Sequence, residues 1–228
     1  GSGWFSTGGA GTSYTATIGI MMPTDFRMVT YCANSNSYDT SNVISITIKQ
    51  WYNCYCEPVS SCVNEGIQNV TFDTLNNTSN YCTNSNGYED FSSMGSVTTV
   101  TQGSAVPISV TAWINSNPAG AGVWIDYDQN GVFDTTEFTL IGTTTSFTGT
   151  AGAFVFSNKV TIDINALTGL TRMRVRSANS TTATQIANST ACLQSNAYGE
   201  YEDYLITIAP AANCSGTPNV VTASSVVS

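Results

Sequence analysis

The twelve residues Asp126-Tyr-Asp-Gln-Asn-Gly-Val-Phe-Asp-Thr-Thr-Glu137 constrain this chain more than any other stretch. Oxygen-bearing side chains recur at alternate positions: Asp126, Asp128 and Asn130 at one, three and five, and Asp134 at nine. Gly131 stands at six, where the backbone has to turn sharply. Val132 offers its carbonyl at seven, and Glu137 closes the run at twelve with a carboxylate able to bind through both oxygens. Carboxylates this close repel one another unless a cation sits among them. A hard divalent ion with a flexible shell of about six to eight oxygens suits the spacing, so Ca2+ is the expected cofactor in preference to Mg2+. The competing reading is an Asp/Asn-rich turn that binds nothing.

The flanks decide what kind of loop this is. Val123, Trp124 and Ile125 precede it, and Phe138, Thr139, Leu140 and Ile141 follow it. Both runs are short and rich in β-branched or aromatic residues, and no helical periodicity runs outward from either. The loop therefore joins two strands. A helix pair opens when calcium arrives, and a strand pair has no such lever. A structural ion of modest affinity is expected, not a sensor.

Short β-like runs recur along the rest of the chain: Ser13–Ile18, Phe26–Cys32, Val43–Ile48, Val97–Val100, Ile108–Ile114, Phe154–Ile162, Arg172–Arg176 and Tyr204–Ile208. Asn, Gly and Ser clusters separate them. Only Asp163–Leu170 suggests a helical turn. The pattern predicts an all-β chain built on a β-sandwich.

Charge narrows the partners. Only 9% of residues are charged, 41% are hydrophobic, and the net charge is −9 with six Lys plus Arg. Nucleic acid needs a basic surface and is not an expected partner. No apolar run is long enough to span a bilayer, so no membrane insertion is expected. The chain has no histidine, which removes Ser-His and Cys-His catalysis and His-ligated metals.

Seven cysteines are scattered without zinc-ribbon spacing. In a chain of low charge they read as disulfides of an oxidising compartment, which places the protein outside the cell, secreted or on its surface. Cys62 and Cys82 bracket an expected hairpin with Val70–Phe72 as its first strand. Cys56 and Cys192 lie near the two ends of the central body and are the second expected bridge. Cys54 is then left to pair with Cys32.

Two boundaries divide the chain into residues 1–53, 54–209 and 210–228. Phe26-Arg-Met-Val-Thr-Tyr-Cys32, followed by Ser41-Asn-Val-Ile-Ser-Ile-Thr-Ile48, resembles the end of Ig-like repeats in large secreted proteins of Bacteroidetes-type bacteria. The tail Asn213-Cys-Ser-Gly-Thr-Pro218 resembles the opening of the next repeat. The resemblance implies partial immunoglobulin-like β modules at both ends, with the chain a piece of a longer protein. Partners for Cys32 and Cys214 would then lie beyond it.

The central body carries Ile67-Gln-Asn-Val-Thr-Phe72, Gly87-Tyr-Glu-Asp-Phe91, the Trp124–Gly131 segment, Met173-Arg-Val-Arg176 and Gly199-Glu-Tyr-Glu-Asp-Tyr204, in that order. The last of these resembles the signature of the GEVED domain, with Tyr201 in place of the usual valine. The resemblance spans about residues 54–209. It implies a non-catalytic β-sandwich module found beside proteases, adhesins and repeat arrays.

Strand parity puts Glu200, Glu202, Tyr204, Ile206 and Ile208 on one face, which the apolar residues turn inward. Buried carboxylates need partners. The candidates are the acidic loop and the arginines Arg172, Arg174 and Arg176, which share a face of their own strand. Pairing of at least one glutamate with an arginine is the expectation. Glu200, Glu202 and Asp203 are too close on one strand to flank a substrate, so no catalytic role is expected.

Two functions compete. The first is a calcium-stiffened structural or adhesive module in a repetitive surface protein or filament, whose partners are neighbouring modules of the same protein. The second is a carbohydrate-binding accessory module, with Trp51, Tyr52, Tyr55, Trp113, Trp124 and Tyr127 as candidate platforms for glycans or other surface components. Trp113 and Trp124, lying within strands, read better as core.

Overall fold

Residues 22–62, 65–80, 86–115, 118–144, 151–179, 186–187 and 190–212 are described in this computed structural model. Among them the regular structure is β-strand with short 3-10 turns, so the fold is all-β. The expected run Ser13–Ile18, Cys82 and residues 213–228 lie outside the described residues.

The chain divides into two units, Gly1–Gln50 and Trp51–Ser228. In the first, β1 (Thr24–Phe26) pairs antiparallel with β4 (Ile44–Ile46), and β2 (Val29–Cys32) pairs antiparallel with β3 (Ser37–Thr40). The expected single strand Phe26–Cys32 is broken at Arg27–Met28, where the chain passes from one ladder to the other. β3 was not expected, because Ser37-Tyr-Asp-Thr has no hydrophobic alternation. No described residue of this unit is buried.

The second unit is a sandwich of two sheets. One has the order β13-β10-β6-β7, from β13 (Gly152–Thr161), β10 (Ala105–Ile114), β6 (Gly66–Phe72) and β7 (Leu75–Thr78). The other runs β12-β11-β14-β15, from β12 (Phe138–Thr143), β11 (Ala119–Ile125), β14 (Gly169–Asn179) and β15 (Gln194–Ala209). Three short strands lie end to end along the free edge of β15, all parallel to it: β5 (Val59–Ser61), β8 (Tyr88–Asp90) and β9 (Ser96–Thr101). Asp163–Leu170 forms no helix: the chain turns at Ile164–Asn165, and Gly169 and Leu170 already belong to β14.

Alternation explains how the sheets stack. β10 buries Val106, Ile108, Val110, Ala112 and Ile114 at every second residue, and β6 adds Ile67, Val70 and Phe72. A bulge at Thr111/Ala112 restores the inward phase of β6. Facing them are Val123 and Ile125 of β11, Met173 and Val175 of β14, and Tyr204, Ile206 and Ile208 of β15. These residues form the main core between the two sheets.

The larger sheet is covered on its outer face as well. There Tyr55, Trp124, Phe133 and Ala191 form a second buried cluster, with Phe138 packed on it. The strap Trp51–Pro58 and the segment around Ala191 supply this cover, and the bridge Cys56–Cys192 joins them. Cys62 is also disulfide-bonded, and Cys82, its expected partner, is outside the described residues. Cys32 and Cys54, the remaining expected pair, are both exposed and belong to different units.

Candidate metal centre and the arginine face

The acidic loop joins β11 to β12, so strands hold it at both ends. Its backbone turns through two left-handed residues, Gln129 (φ 56°) and Gly131 (φ 81°). Glycine suits the second, since it reaches positive φ without a Cβ penalty. Gln129 is tied down by its side-chain amide, which donates to the carbonyls of Leu167 and Thr168.

The loop folds its carboxylates inward over its own amides. Asp126 accepts from the N–H groups of Asn130 (3.2 Å) and Gly131 (2.9 Å), and from the Tyr55 hydroxyl. Glu137 accepts from Tyr127 N (2.6 Å) and Asp134 N (2.9 Å). The Asp134 side chain accepts in return from the Glu137 backbone, closing a reciprocal capping box. One carboxylate oxygen from each of Asp126, Asp128 and Glu137 falls within 4.8 Å of the other two. Oxygens bound to one Ca2+ at about 2.3–2.6 Å stand no more than about 5 Å apart, so these three fit a single ion.

The remaining expected ligands are less drawn in. The Asn130 amide donates to Asp128 (2.9 Å) and, at 3.4 Å, to Asp134, holding the Asp134 carboxylate at the rim. The Val132 side chain is exposed. Without a cation, burial raises the pKa of Asp126 above the usual carboxylate range and pushes Glu137 up to about 7.

Two supports of the loop were not foreseen. The Thr171 hydroxyl donates to the Asp126 carbonyl at 2.5 Å. Tyr55 reaches across from the strap, its ring 4.9 Å from that of Phe133 within the loop. No local pattern marks either residue.

The expected arginine–glutamate pairing is corrected by the strand register. Arg174 stands opposite Asp203, Arg172 opposite Leu205, and Arg176 opposite Tyr201. The arginines therefore share the outer face with Asp203, while Glu200 and Glu202 face the core. Arg174 is bidentate to Asp203 at 2.6 and 2.7 Å, and Arg172 joins it at 3.0 Å. Arg172 also reaches Asp90, at 3.1 Å. All three arginine side chains are buried and lie over aromatic rings: Arg172 on Tyr55, Arg174 on Tyr88 and Phe133, and Arg176 on Tyr201.

The glutamates do not join the acidic loop either. Glu200 lies opposite Ser177, six residues along β14 from Thr171, a separation of about 20 Å. It accepts from Ile67 N at 2.7 Å. Glu202 accepts from Ser79 (2.6 Å) and Tyr204 (2.5 Å), and burial pushes its carboxyl up to about 7.

Among the candidate sugar platforms, Trp124 is fully buried and Tyr55 is core, whereas Trp51 is 37% exposed. Trp51 and Tyr52 meet edge to face at 5.8 Å.

Comparison with known families is decided by the half of the sandwich that carries the loop and the arginine face. The GEVED domain model matches residues 120–207. The matched segment thus runs from β11 almost to the end of β15 and contains the acidic loop, the arginines, Asp203 and both glutamates. A GEVED match is compatible with a non-catalytic module. No curated protein matches the chain.

Proposed function

We propose that this chain is a non-catalytic, calcium-stabilised structural or adhesive module of a secreted or cell-surface protein. The single observation that carries the reading is the convergence of Asp126, Asp128 and Glu137 within 4.8 Å at the end of a rigid sheet. A cation there offsets the mutual repulsion of these groups and opposes the burial that disfavours the ionised forms of Asp126 and Glu137. The Val132 carbonyl completes the oxygen set, with Asn130 and Asp134 at its rim. The ion acts as a clamp between β11 and β12, stiffening the loop.

The absence of histidine agrees with a non-catalytic role. Buried Asp203 is bound up with two arginines, and Glu200 and Glu202 face the core. None of the three opens onto a substrate cleft. The disulfide fits an extracellular module, and among the described residues no helix is long and apolar enough to cross a membrane.

Thermal unfolding with and without Ca2+ tests this reading. Ligand binding to the folded state alone stabilises by about 2.7 kcal/mol at a hundredfold excess over Kd. A Ca2+-dependent rise in Tm is expected in the wild type and its loss in Asp128→Ala. Equal melting temperatures of the wild type in Ca2+ and in chelator refute it.

A further inference from the structure

The bridge Cys56–Cys192 is placed asymmetrically. Cys192 is exposed and lines an open cavity of about 440 Å³ beside the acidic loop, together with Val132, Phe133, Asp134, Thr136 and Ala191. Cys56 is half-buried on the other side, its Sγ 3.1 Å from Nη1 of Arg174, whereas Cys192 Sγ lies 4.0 Å from the same nitrogen. Arg174 has no exposed surface. Arg174 pairs with the buried Asp203, which it shares with Arg172, and Arg172 also reaches the partly exposed Asp90. A thiolate at Cys56 lies within hydrogen-bond reach of the Arg174 guanidinium, which favours that charge.

We propose that Cys56–Cys192 is a directional thiol-exchange site that takes small-molecule thiols through this cavity. An incoming thiolate attacks Cys192 Sγ. The S–S bond breaks, and Cys56 leaves with the electron pair as a thiolate held against Arg174. Cys192 is left in a mixed disulfide. A second thiolate displaces it, so two thiols are oxidised to one small disulfide as the protein bridge is reduced. The better-stabilised thiolate is the better leaving group, which sets the direction. Asp134 on the cavity wall favours an uncharged or cationic thiol, such as cysteamine, over the net-anionic glutathione.

Opening the bridge frees the strap from its covalent tie. Tyr55 lies in that strap and donates to Asp126. The oxidised bridge therefore supports cation binding, and by linkage the bound cation protects the bridge from reduction. This coupling rests on the calcium reading above; the direction of exchange does not.

The test treats the whole oxidised chain with limiting cysteamine, quenches with iodoacetamide and maps the peptides. Cysteamine is expected on Cys192 and the alkyl group on Cys56. The reverse pattern, or an even split, overturns the directional site. Calcium calorimetry then compares the wild type with Cys56→Ser/Cys192→Ser, in which affinity is expected to fall about tenfold. Equal affinities overturn the coupling. Absence of any calcium heat in the oxidised wild type refutes the calcium reading, and the peptide map still decides the exchange chemistry.

Discussion

The hydroxyl of Tyr55 donates to Oδ2 of Asp126, 71 positions further along the chain. This contact joins the covering strap to the first residue of the acidic loop. Its donor is itself buried, and burial raises the pKa of Tyr55 well above its ordinary range, so the hydroxyl stays protonated and available to donate.

Tyr55→Phe removes that donor while keeping the ring against Phe133. Taking one partner from a buried hydrogen bond costs about 1–3 kcal/mol. Urea denaturation in chelator is expected to show this loss, and calorimetry a weaker Ca2+ isotherm. An unchanged denaturation midpoint would show that the contact supports nothing.

The two carboxylates on Arg172 are expected to differ sharply. Asp203 is fully buried between two arginines, whereas the Asp90 side chain is 41% exposed. Breaking a buried ion pair from one side typically costs about 3–5 kcal/mol, and an exposed pair contributes about 0–1 kcal/mol. Asp203→Asn should therefore destabilise far more than Asp90→Asn in chemical denaturation. Similar losses in both variants would contradict the buried pairing.

Glu202 predicts a pH dependence. Burial pushes its carboxyl from 4.5 up to about 7. Between those values the folded chain holds the proton and the unfolded chain has released it, so stability falls as pH rises through this window. Glu202→Gln removes that slope. In chelator, the stability difference between variant and wild type should shift in the variant's favour from pH 4.5 to 7 and stay flat below 4.5. Glu137, also raised to about 7, is present in both proteins and cancels. Parallel curves across the window would rule out the shift.

Gly199→Ala should be among the most damaging single changes. Gly199 has φ 129°, and a Cβ there would sit 2.1 Å from the Ser177 carbonyl oxygen and 2.8 Å from Ala178 Cα. Both are backbone atoms of the neighbouring strand β14, so no side chain can swing away. The loss should exceed about 3 kcal/mol, read as a drop in Tm or a failure to fold. Wild-type-like melting would mean that the two strands part there easily.

The acidic loop was legible in the sequence because its oxygen-bearing side chains are neighbours in the chain and their spacing is set by local geometry. The main sandwich strands were legible through alternation, as in Val106 to Ile114. Strand parity also contained the arginine pairing. Met173 and Val175 face inward, so Arg172, Arg174 and Arg176 face outward, where Asp203 lies and Glu202 does not. Tyr55, Thr171 and the strands β5 and β8 carry no such signal. Their positions follow from contacts between segments more than 40 residues apart, and a three-residue strand has no periodicity to detect. The cysteine partners were open for the same reason: a count of thiols does not locate them in space.

The bridge Cys56–Cys192 closes 136 positions of chain just ahead of β5 and at the start of β15. Under tension, force entering before Cys56 and leaving after Cys192 passes through one sulfur–sulfur bond and by-passes the acidic loop and most of the sandwich. With the bridge open, the load falls instead on the hydrogen bonds between the parallel strands β5 and β15, in shear. A stretched oxidised module therefore yields little length, and the same module reduced releases up to about 450 Å of extra contour.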